Sequence, residues 1–491
     1  MNRLLTAICL AALLFLPSPL CAEEGFLRVP LTEKNIPAPR VSWYGIYMKD
    51  SKIGYMREEF ARVGEGADAM WYLDQTATLK IESMGKKLAM EMAERQEFDA
   101  APPYAFRGGW SRMKEDSGGG QDIEITRDAS GLSAKVTAGG ESRTLPVPAI
   151  DCTLADQLAS ELWIRTNPAP GDHARVRTFK MNDLKADADT LTVISRKESL
   201  VEGVRTRFFE VRQVGDSDGQ EEVARCDAQG RLISIVLGDL IEGRLEPEEV
   251  AKRIEASSDL FVFGMAAIDK PIGDPTKVRR LVMHVDGEGA GKLVDGPGQS
   301  LARDAKLGEV TLTLGADAGI DEKATAEETK ASLEETVRCP SSLPQVKALA
   351  AQAVADAKTP REKVARLLHF VSEYVTDELH PQASSVPEII ASKRGDCSEH
   401  ALLFAALARS AGIPAREVSG LVYMGDDVKA FGGHAWDEVV LDGRWVPVDP
   451  TWDETEINAT HITLDRKGKS QGSIATLGRL QFRLVTEDVA K

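Results

Sequence analysis

The sequence predicts a multidomain α+β protein, with an N-terminal antiparallel β-rich region followed by a C-terminal α+β domain. Short β-type runs separated by turns recur in the β-rich region, which we place at residues 41–245. Helical spacing of apolar residues replaces this pattern in the α+β domain, at residues 340–465. A small connecting module is expected between them, at residues 246–320. With 491 residues, 43% of them hydrophobic, the chain can bury more than one core.

The first 22 residues have the order of a secretory signal peptide. A charged start at Arg3 is followed by an apolar run from Leu4 to Leu16 and then by small residues up to Ala22. The apolar run is shorter than the roughly 20 residues that a spanning helix needs, which disfavours an uncleaved anchor. Lipidation at Cys21 is a minor alternative. We therefore expect an exported protein that is periplasmic or extracellular, including an envelope-associated location, with no stable membrane insertion after signal cleavage.

Charge and cysteine content exclude two further classes of protein. The formal net charge of -17 argues against a nucleic-acid partner, because phosphate binding needs clustered Lys and Arg. Four cysteines remain after the leader, too few for a disulfide scaffold. The sequence leaves open whether Cys152 and Cys226 form a disulfide.

The β-rich region has the pattern of an antiparallel meander. One clear unit is a run from Trp71 to Glu82, a turn at Met84–Lys86 and a second run from Lys87 to Phe98. A helix is predicted only at Thr153–Thr166, and both a β sandwich and a curved half-barrel fit the pattern. The role of this region is not indicated by the sequence.

The connecting module contains a glycine-rich segment that resembles a phosphate-binding loop only superficially. Strands are predicted at Arg279–Val285 and Glu309–Leu314, with Gly287–Lys292 after the first. A P-loop needs Gly five residues before its Gly-Lys pair and Ser or Thr after it, but Asp286 and Leu293 occupy these positions. The segment is therefore interpreted as a turn.

Two amphipathic helices are predicted to open the C-terminal domain, at Ser342–Val354 and Thr359–Val375. A third helix begins at Cys397, because Asp396 is an N-cap residue and Glu399 completes a capping box. Unpaired N–H groups and the helix dipole at such a position stabilise an anion. Cys397 is thus a candidate nucleophile, since the thiolate is the reactive form of cysteine.

A β-hairpin supplies the partners of this cysteine. Asp442-Gly443 is a strong two-residue turn signal between a strand that starts near His434 and a strand that ends near Asp449. If Leu441 faces Arg444, then His434 is a diagonal neighbour of Asp449 on one face of the sheet. The register therefore allows the carboxylate to orient the imidazole, as a thiol–imidazole pair requires.

Four segments of this domain closely resemble the bacterial transglutaminase-like superfamily. They are the segments 395–401, 412–416, 433–436 and 443–451, with the sequences GDCSEHA, GIPAR, GHAW and GRWVPVDPT. The resemblance covers about residues 343–451 and implies a papain-like α+β fold. It also implies a catalytic triad of Cys397, His434 and Asp449 that acts on amides through a thioester.

Two alternatives compete with this interpretation. Cys397 and His400 could share a metal ion with His434 or Asp449, although only one cysteine is present locally, so the predicted site contains no metal. The chain could also be a non-catalytic envelope binding or scaffold protein in which the triad is vestigial. For a substrate groove, Trp436 and Trp452 are candidates, with core packing as the alternative for each.

The sequence therefore predicts an exported thiol acyltransferase or peptidase with a protein or peptide substrate. Water as the acceptor would make the enzyme a peptidase or amidase, and a lysine amine would make it a protein cross-linker. The residues do not distinguish these two reactions. No cofactor is expected, because a thiol, an imidazole and a carboxylate suffice for the chemistry.

Overall fold

A computed structural model describes residues 25–489 apart from 28, 49–50, 84–85, 117, 129–130, 149–152, 202–203, 217–218, 239, 255–263, 288, 305–307, 379–384 and 466–479. The predicted signal peptide and Cys152 lie outside the described residues. The chain divides into two compact units, and the boundary lies between residues 258 and 259. With 51% of residues in strands and 19% in helices, the chain as a whole is mostly β. The α+β prediction therefore fits the chain only loosely.

The first unit is built on one antiparallel sheet of 14 strands in the order β8-β7-β6-β5-β4-β3-β2-β1-β14-β13-β12-β11-β10-β9. The strands are β1 (Arg40–Met48), β2 (Ser51–Val63), β3 (Met70–Ser83), β4 (Lys86–Asp99), β5 (Phe106–Glu115), β6 (Gly120–Asp128), β7 (Gly131–Ala138), β8 (Glu141–Val147), β9 (His173–Lys180), β10 (Lys185–Val201), β11 (Val204–Gly215), β12 (Glu221–Asp227), β13 (Leu232–Leu237) and β14 (Ile241–Glu246). Consecutive strands pair with each other within β1–β8 and within β9–β14, as the predicted meander requires, whereas β8 and β9 lie at opposite edges of the sheet. The pairing of β1 with β14 joins the two halves of the meander into one sheet.

The predicted helix at 153–166 forms as two short helices, α1 (Leu154–Gln157) and α2 (Ala159–Arg165). Trp163 and Ile164 of α2 pack with Val176, Leu191 and Phe209 of neighbouring strands in a buried apolar cluster. A third short helix, α3 (Glu248–Ala251), follows the sheet. Cys226, buried in β12, carries a free thiol.

The second unit contains a nine-stranded sheet in the order β17-β18-β16-β25-β15-β22-β21-β24, with β23 paired to β22. Its strands are β15 (Ala266–Ile268), β16 (Val278–Asp286), β17 (Gln299–Asp304), β18 (Glu309–Gly315), β21 (Ala415–Tyr423), β22 (Ala430–Leu441), β23 (Arg444–Val448), β24 (His461–Asp465) and β25 (Gln481–Val489). Two further strands, β19 (Thr376–Asp377) and β20 (Arg394–Gly395), form a separate parallel pair. Strands β16 and β18, which the sequence analysis placed in a connecting module, lie in the same sheet as β22.

Five helices lie among the described residues of this unit. They are α4 (Ala326–Ala331), α5 (Pro344–Ala353), α6 (Pro360–Tyr374), α7 (Val386–Ser392) and α8 (Cys397–Ser410). Helix α8 is buried from Ser398 to Ala408, and accordingly all its residues from Ala401 to Ala408 are apolar. Its side chains form one core with residues of α5, α6 and β22. This packing holds the start of α8 against the sheet.

Within the described residues, no helix has both the length and the apolar character needed to cross a membrane.

Candidate active site

The start of α8 presents the thiol of Cys397. Asp396 is the N-cap, and its Oδ1 accepts the backbone N–H of Ser398 at 2.8 Å. In return, Glu399 Oε2 accepts the backbone N–H of Asp396 at 2.9 Å, which completes the predicted capping box. Cys397 is partly exposed, in contrast to the buried Cys339. The cap therefore holds a reachable thiol at the end of the helix where the dipole favours an anion.

Close packing reinforces this helix start. Burial raises the pKa of the Glu399 carboxyl well above its usual range, and the neighbouring charge of Asp396 acts in the same direction. A Cβ atom at Gly395 would lie 2.3 Å from the Cβ atom of Glu399, so only glycine allows the approach seen here. Gly395 thus lets the cap close without a clash.

The hairpin of β22 and β23 brings His434 to Asp449. Leu441 pairs with Arg444, as the Asp442-Gly443 turn predicts, and this sets the register of both strands. His434 Nε2 lies 2.7 Å from Asp449 Oδ2, and the Asp449 side chain is 0% exposed. The charge of Cys397 acts on the same imidazole and, like that of Asp449, raises its pKa. The structure therefore brings the three residues predicted from the sequence into one contiguous group.

Neighbouring charges outweigh burial in setting the pKa values of His434 and Asp449. Burial by itself lowers the pKa of His434, but the negative charges of Asp449 and Cys397 outweigh it and raise the pKa to about 10. Burial likewise raises the pKa of Asp449, but the neighbouring His434 outweighs it and holds that pKa below its usual range. The contact thus favours an imidazolium at His434 beside a carboxylate at Asp449.

Two tryptophans flank His434, but only one is accessible. The Trp452 ring stacks on the imidazole with centroids 4.5 Å apart and is 47% exposed. Trp436 is 0% exposed, which corrects its assignment as a groove residue. A Cβ atom at Gly420 would lie 2.4 Å from the Trp436 ring, so glycine makes room for it in the core. Trp436 therefore packs beside His434 and His461, whereas Trp452 can contact a ligand.

A second histidine, His461, was missed by the sequence reasoning. Its Nε2 lies 3.2 Å from Asp449 Oδ2, on the carboxylate oxygen that also contacts His434. No motif marks His461, because it reaches the site only through the pairing of β24 with β21. Its position 12 residues after Asp449, at the start of an apolar strand, was the available signal.

These side chains also define which residues could hold a metal ion. Within the described residues, His434, Asp449 and His461 offer ligand atoms that all lie within 4.8 Å of one another. His400 is not part of this group. Its ring nitrogens lie 2.8 Å from the carbonyl oxygen of Asp396 and 3.1 Å from that of Val375. The Cys397–His400 metal site considered from the sequence is therefore not assembled.

A helix that starts with a cysteine and packs on an antiparallel sheet bearing a histidine and an aspartate defines the papain-like class of fold. Residues 347–450 match the model of the Transglutaminase-like superfamily, which confirms the resemblance of this segment that the sequence indicated. The matched range contains Cys397, His434 and Asp449. It ends before Trp452 and His461.

Solved structures show distant likenesses to this chain. A candidate cysteine protease from Cytophaga hutchinsonii is 15% identical, with 43% of this chain and 85% of that chain covered and a TM-score of 0.28. A β-barrel-like protein of the domain of unknown function DUF1849 from Brucella abortus is 13% identical, with coverages of 42% and 95% and a TM-score of 0.31. The periplasmic domain of TgpA from Pseudomonas aeruginosa, bound to ethylmercury, is 18% identical, with coverages of 36% and 75% and a TM-score of 0.26. At these identities and TM-scores, the likenesses determine neither the fold nor the function of this chain.

No curated protein matches the sequence.

Proposed function

We propose that the second unit is a thiol acyl-transfer enzyme that acts on a peptide or glutamine-type amide. The observation that carries the proposal is the buried contact of 2.7 Å between His434 Nε2 and Asp449 Oδ2, on an imidazole whose pKa the neighbouring charge of Cys397 also raises. Because Nε2 is engaged with the carboxylate, Nδ1 is the nitrogen that exchanges a proton with the thiol. Cys397 is the nucleophile, His434 the acid and base, and Asp449 the residue that orients His434.

The reaction then follows in two steps. The Cys397 thiolate attacks the carbonyl carbon of the amide, and the C–N bond breaks as the His434 imidazolium gives its proton to the leaving amine. In the second step, water or an amine attacks the thioester carbonyl, His434 takes the proton of the attacking group, and the thiolate of Cys397 leaves. The backbone N–H of Cys397, at the first position of α8, is available to donate to the oxyanion.

The site offers a contact surface for the substrate and is compatible with either acceptor. Exposed Trp452 offers a flat apolar surface over His434, suited to contact a substrate side chain next to the scissile amide. Transfer to a lysine amine and hydrolysis by water use the same three residues. Incubation with a glutamine-containing protein and a labelled primary amine separates them, because only transfer incorporates the label.

The direct test is alkylation of the full-length protein by limiting iodoacetamide near neutral pH, followed by intact mass and peptide mapping. Burial raises the pKa of Cys226 to about 12 and that of Cys339 to about 11, so both thiols should react slowly. We expect rapid modification of Cys397 that slows at least about tenfold in His434→Ala. Slow labelling of Cys397 that does not depend on His434 would contradict the proposal and favour a non-catalytic scaffold.

Metal dependence gives a second test. We expect alkylation of Cys397 and turnover to be unchanged after treatment with a chelator, because the proposed chemistry uses only side chains. Loss of turnover that added zinc or calcium restores would show that the chain needs a metal.

We further propose that the protein is exported and that its first 22 residues are removed. The order of charged, apolar and small residues ending at Ala22 supports this proposal. N-terminal sequencing of the protein recovered from its host should begin at or near Glu23. Recovery of a chain that still begins at Met1 would contradict cleavage.

A further inference from the structure

His461 is a buried histidine that the proposed reaction does not use. It opens β24, where its backbone pairs with Val422 of β21. The side chain is 0% exposed and its ring stands edge-on to Trp436, with centroids 5.2 Å apart at an angle of 81°. Backbone pairing and ring packing thus hold the imidazole in one orientation, with Nε2 directed at Asp449.

The carboxylate of Asp449 has contacts on both of its oxygens. Oδ1 accepts the backbone N–H of Thr451 at 2.8 Å. Oδ2 lies 2.7 Å from His434 Nε2 and 3.2 Å from His461 Nε2. Because an ionised carboxylate can only accept hydrogen bonds, both Nε2 atoms must carry the hydrogen. His461 therefore donates to the same oxygen that orients His434.

Hydrogen bonds and one close contact connect Asp449, Glu454, Asn458 and His461 in a ring. The backbones of Asp449 and Glu454 exchange two hydrogen bonds of 2.9 Å. Glu454 Oε1 accepts Asn458 Nδ2 at 2.9 Å, and the carbonyl oxygen of Asn458 lies 3.2 Å from His461 Nδ1. The contact of His461 with Asp449 completes the ring. A network of this kind holds a carboxylate more firmly than a single partner does.

We propose that His461 is a positioning residue that keeps Asp449 Oδ2 directed at His434. This inference rests on the proposed function of Cys397 and His434. Without the Nε2 donor, the carboxylate keeps its contact with the Thr451 N–H but loses the second donor on Oδ2, so it turns more easily and the hydrogen bond to His434 weakens. A less firmly held imidazolium stabilises the thiolate less, so Cys397 should react more slowly.

Two amide substitutions of His461 distinguish the role of Nδ1 from the role of Nε2. The amide nitrogen of His461→Asn lies near the position of Nδ1, so it can keep the contact with Asn458 but cannot reach Asp449. The amide nitrogen of His461→Gln lies near the position of Nε2, so it restores the donor to Asp449. Both variants keep a polar side chain, which limits the disturbance of the buried site.

The experiment measures the second-order rate of Cys397 alkylation by iodoacetamide at neutral pH on the full-length protein. We expect His461→Asn to slow the reaction about tenfold, comparable to loss of an orienting partner behind a ligating histidine. The rate of His461→Gln should stay within about threefold of the wild type, because its amide restores the hydrogen bond. Thermal midpoints measured in parallel show whether each variant folds.

A matched control is His284→Asn, which replaces a histidine of β16 in the same sheet, 3.2 Å from Thr311 Oγ1. It should leave the alkylation rate unchanged. Equal rates for His461→Asn and the wild type would overturn the positioning role, and so would a His461→Gln variant that folds but reacts as slowly as His461→Asn. A slow, His434-independent rate in the wild type would instead contradict the proposed function itself.

Discussion

At the scale of single residues, burial and neighbouring charge act in opposite directions on the pKa values of the candidate site. Desolvation disfavours both the His434 imidazolium and the Asp449 carboxylate, yet their contact of 2.7 Å shifts both pKa values toward the charged forms. Removal of either partner leaves the other charge buried without its counter-ion, which is costly. Loss of either partner alone should therefore lower stability as well as impair the proposed chemistry.

The sign of this contribution predicts how stability depends on pH. The pKa of His434 in the folded chain, about 10, lies above its ordinary value of 6.5. Its contribution is therefore fully present below the unfolded pKa and is lost as the pH rises through the folded pKa. We expect the difference in unfolding free energy between the wild type and His434→Gln to shrink steadily as the pH rises between these two values. Chemical denaturation at a series of pH values measures this difference.

Asp449 gives stability the opposite dependence on pH. Because its pKa is lowered on folding, its contribution is present above the ordinary carboxyl value and is lost as the pH falls through the folded value. Asp449→Asn, measured in the same series, should therefore lose its disadvantage only at acidic pH. A constant free-energy difference across the whole pH range for both variants would show that the ion pair does not form.

At the scale of elements, the N-cap of α8 and the hairpin of β22 and β23 each place one reacting group. Both rest on local rules, a capping box at Asp396 and a two-residue turn at Asp442-Gly443. What holds them together is the packing of α8 on the sheet. Changes at the cap and in the sheet test these two contributions separately.

Substitution of the cap residue should affect both stability and reactivity. Asp396→Ala removes the acceptor for the Ser398 N–H and should lower the unfolding free energy by about 1 kcal/mol. The same change should slow alkylation of Cys397, because the helix start that presents the thiol would fray. Asp396→Asn keeps an acceptor and is the matched control, with a smaller effect on both quantities. Equal effects of the two substitutions would show that the charge of Asp396, rather than its cap, is what matters.

Gly420, in β21, should be as sensitive to substitution as a buried residue of the core. A Cβ atom at Gly420 would lie 2.1 Å from the carbonyl oxygen of Ile462 and 2.4 Å from the ring of Trp436. We expect Gly420→Ala to cost about 1–3 kcal/mol of stability through overpacking. Gly433→Ala is the control, since its Cβ atom would meet nothing within 4 Å. Denaturant unfolding of both variants tests the prediction, and a Gly420→Ala variant as stable as the control would contradict it.

At the scale of the molecule, the second unit is larger than the segment that the family model matches. Strand β15 pairs directly with β22, through Ala266 and Phe431, and with β25. One apolar core contains residues of β16 and β18 together with residues of β21 and β24. The strands at residues 266–315 are therefore part of the support of His434.

This architecture predicts which fragment of the chain will fold. A fragment of residues 259–491 should keep rapid alkylation of Cys397, because it retains the whole nine-stranded sheet. A fragment of residues 340–465 should lose it, because removal of β15, β16, β18 and β25 exposes an apolar core and an edge of β22. Circular dichroism and the alkylation rate test both fragments. A shorter fragment that folds and reacts as well as the longer one would show that the additional strands are dispensable.

The sequence by itself determined the local features of this protein. Capping at Asp396, the turn at Asp442-Gly443 and period-two alternation act over a few residues, so the start of α8, the hairpin register and the meander of the first unit could be predicted. The identity of the three proposed catalytic residues followed from these local features and from the resemblance to a family.

Only the tertiary structure decided what depends on distant pairing. The arrival of His461 at Asp449 requires β24 to pair with β21, about 40 residues earlier in the chain, and strands 278–286 and 309–315 join the sheet of β22 only through β25 and β15. The burial of Trp436 and the exposure of Trp452 likewise depend on which surfaces meet. Patterns over a few residues of the sequence do not predict such contacts, because the packing of the whole core selects which distant strands pair.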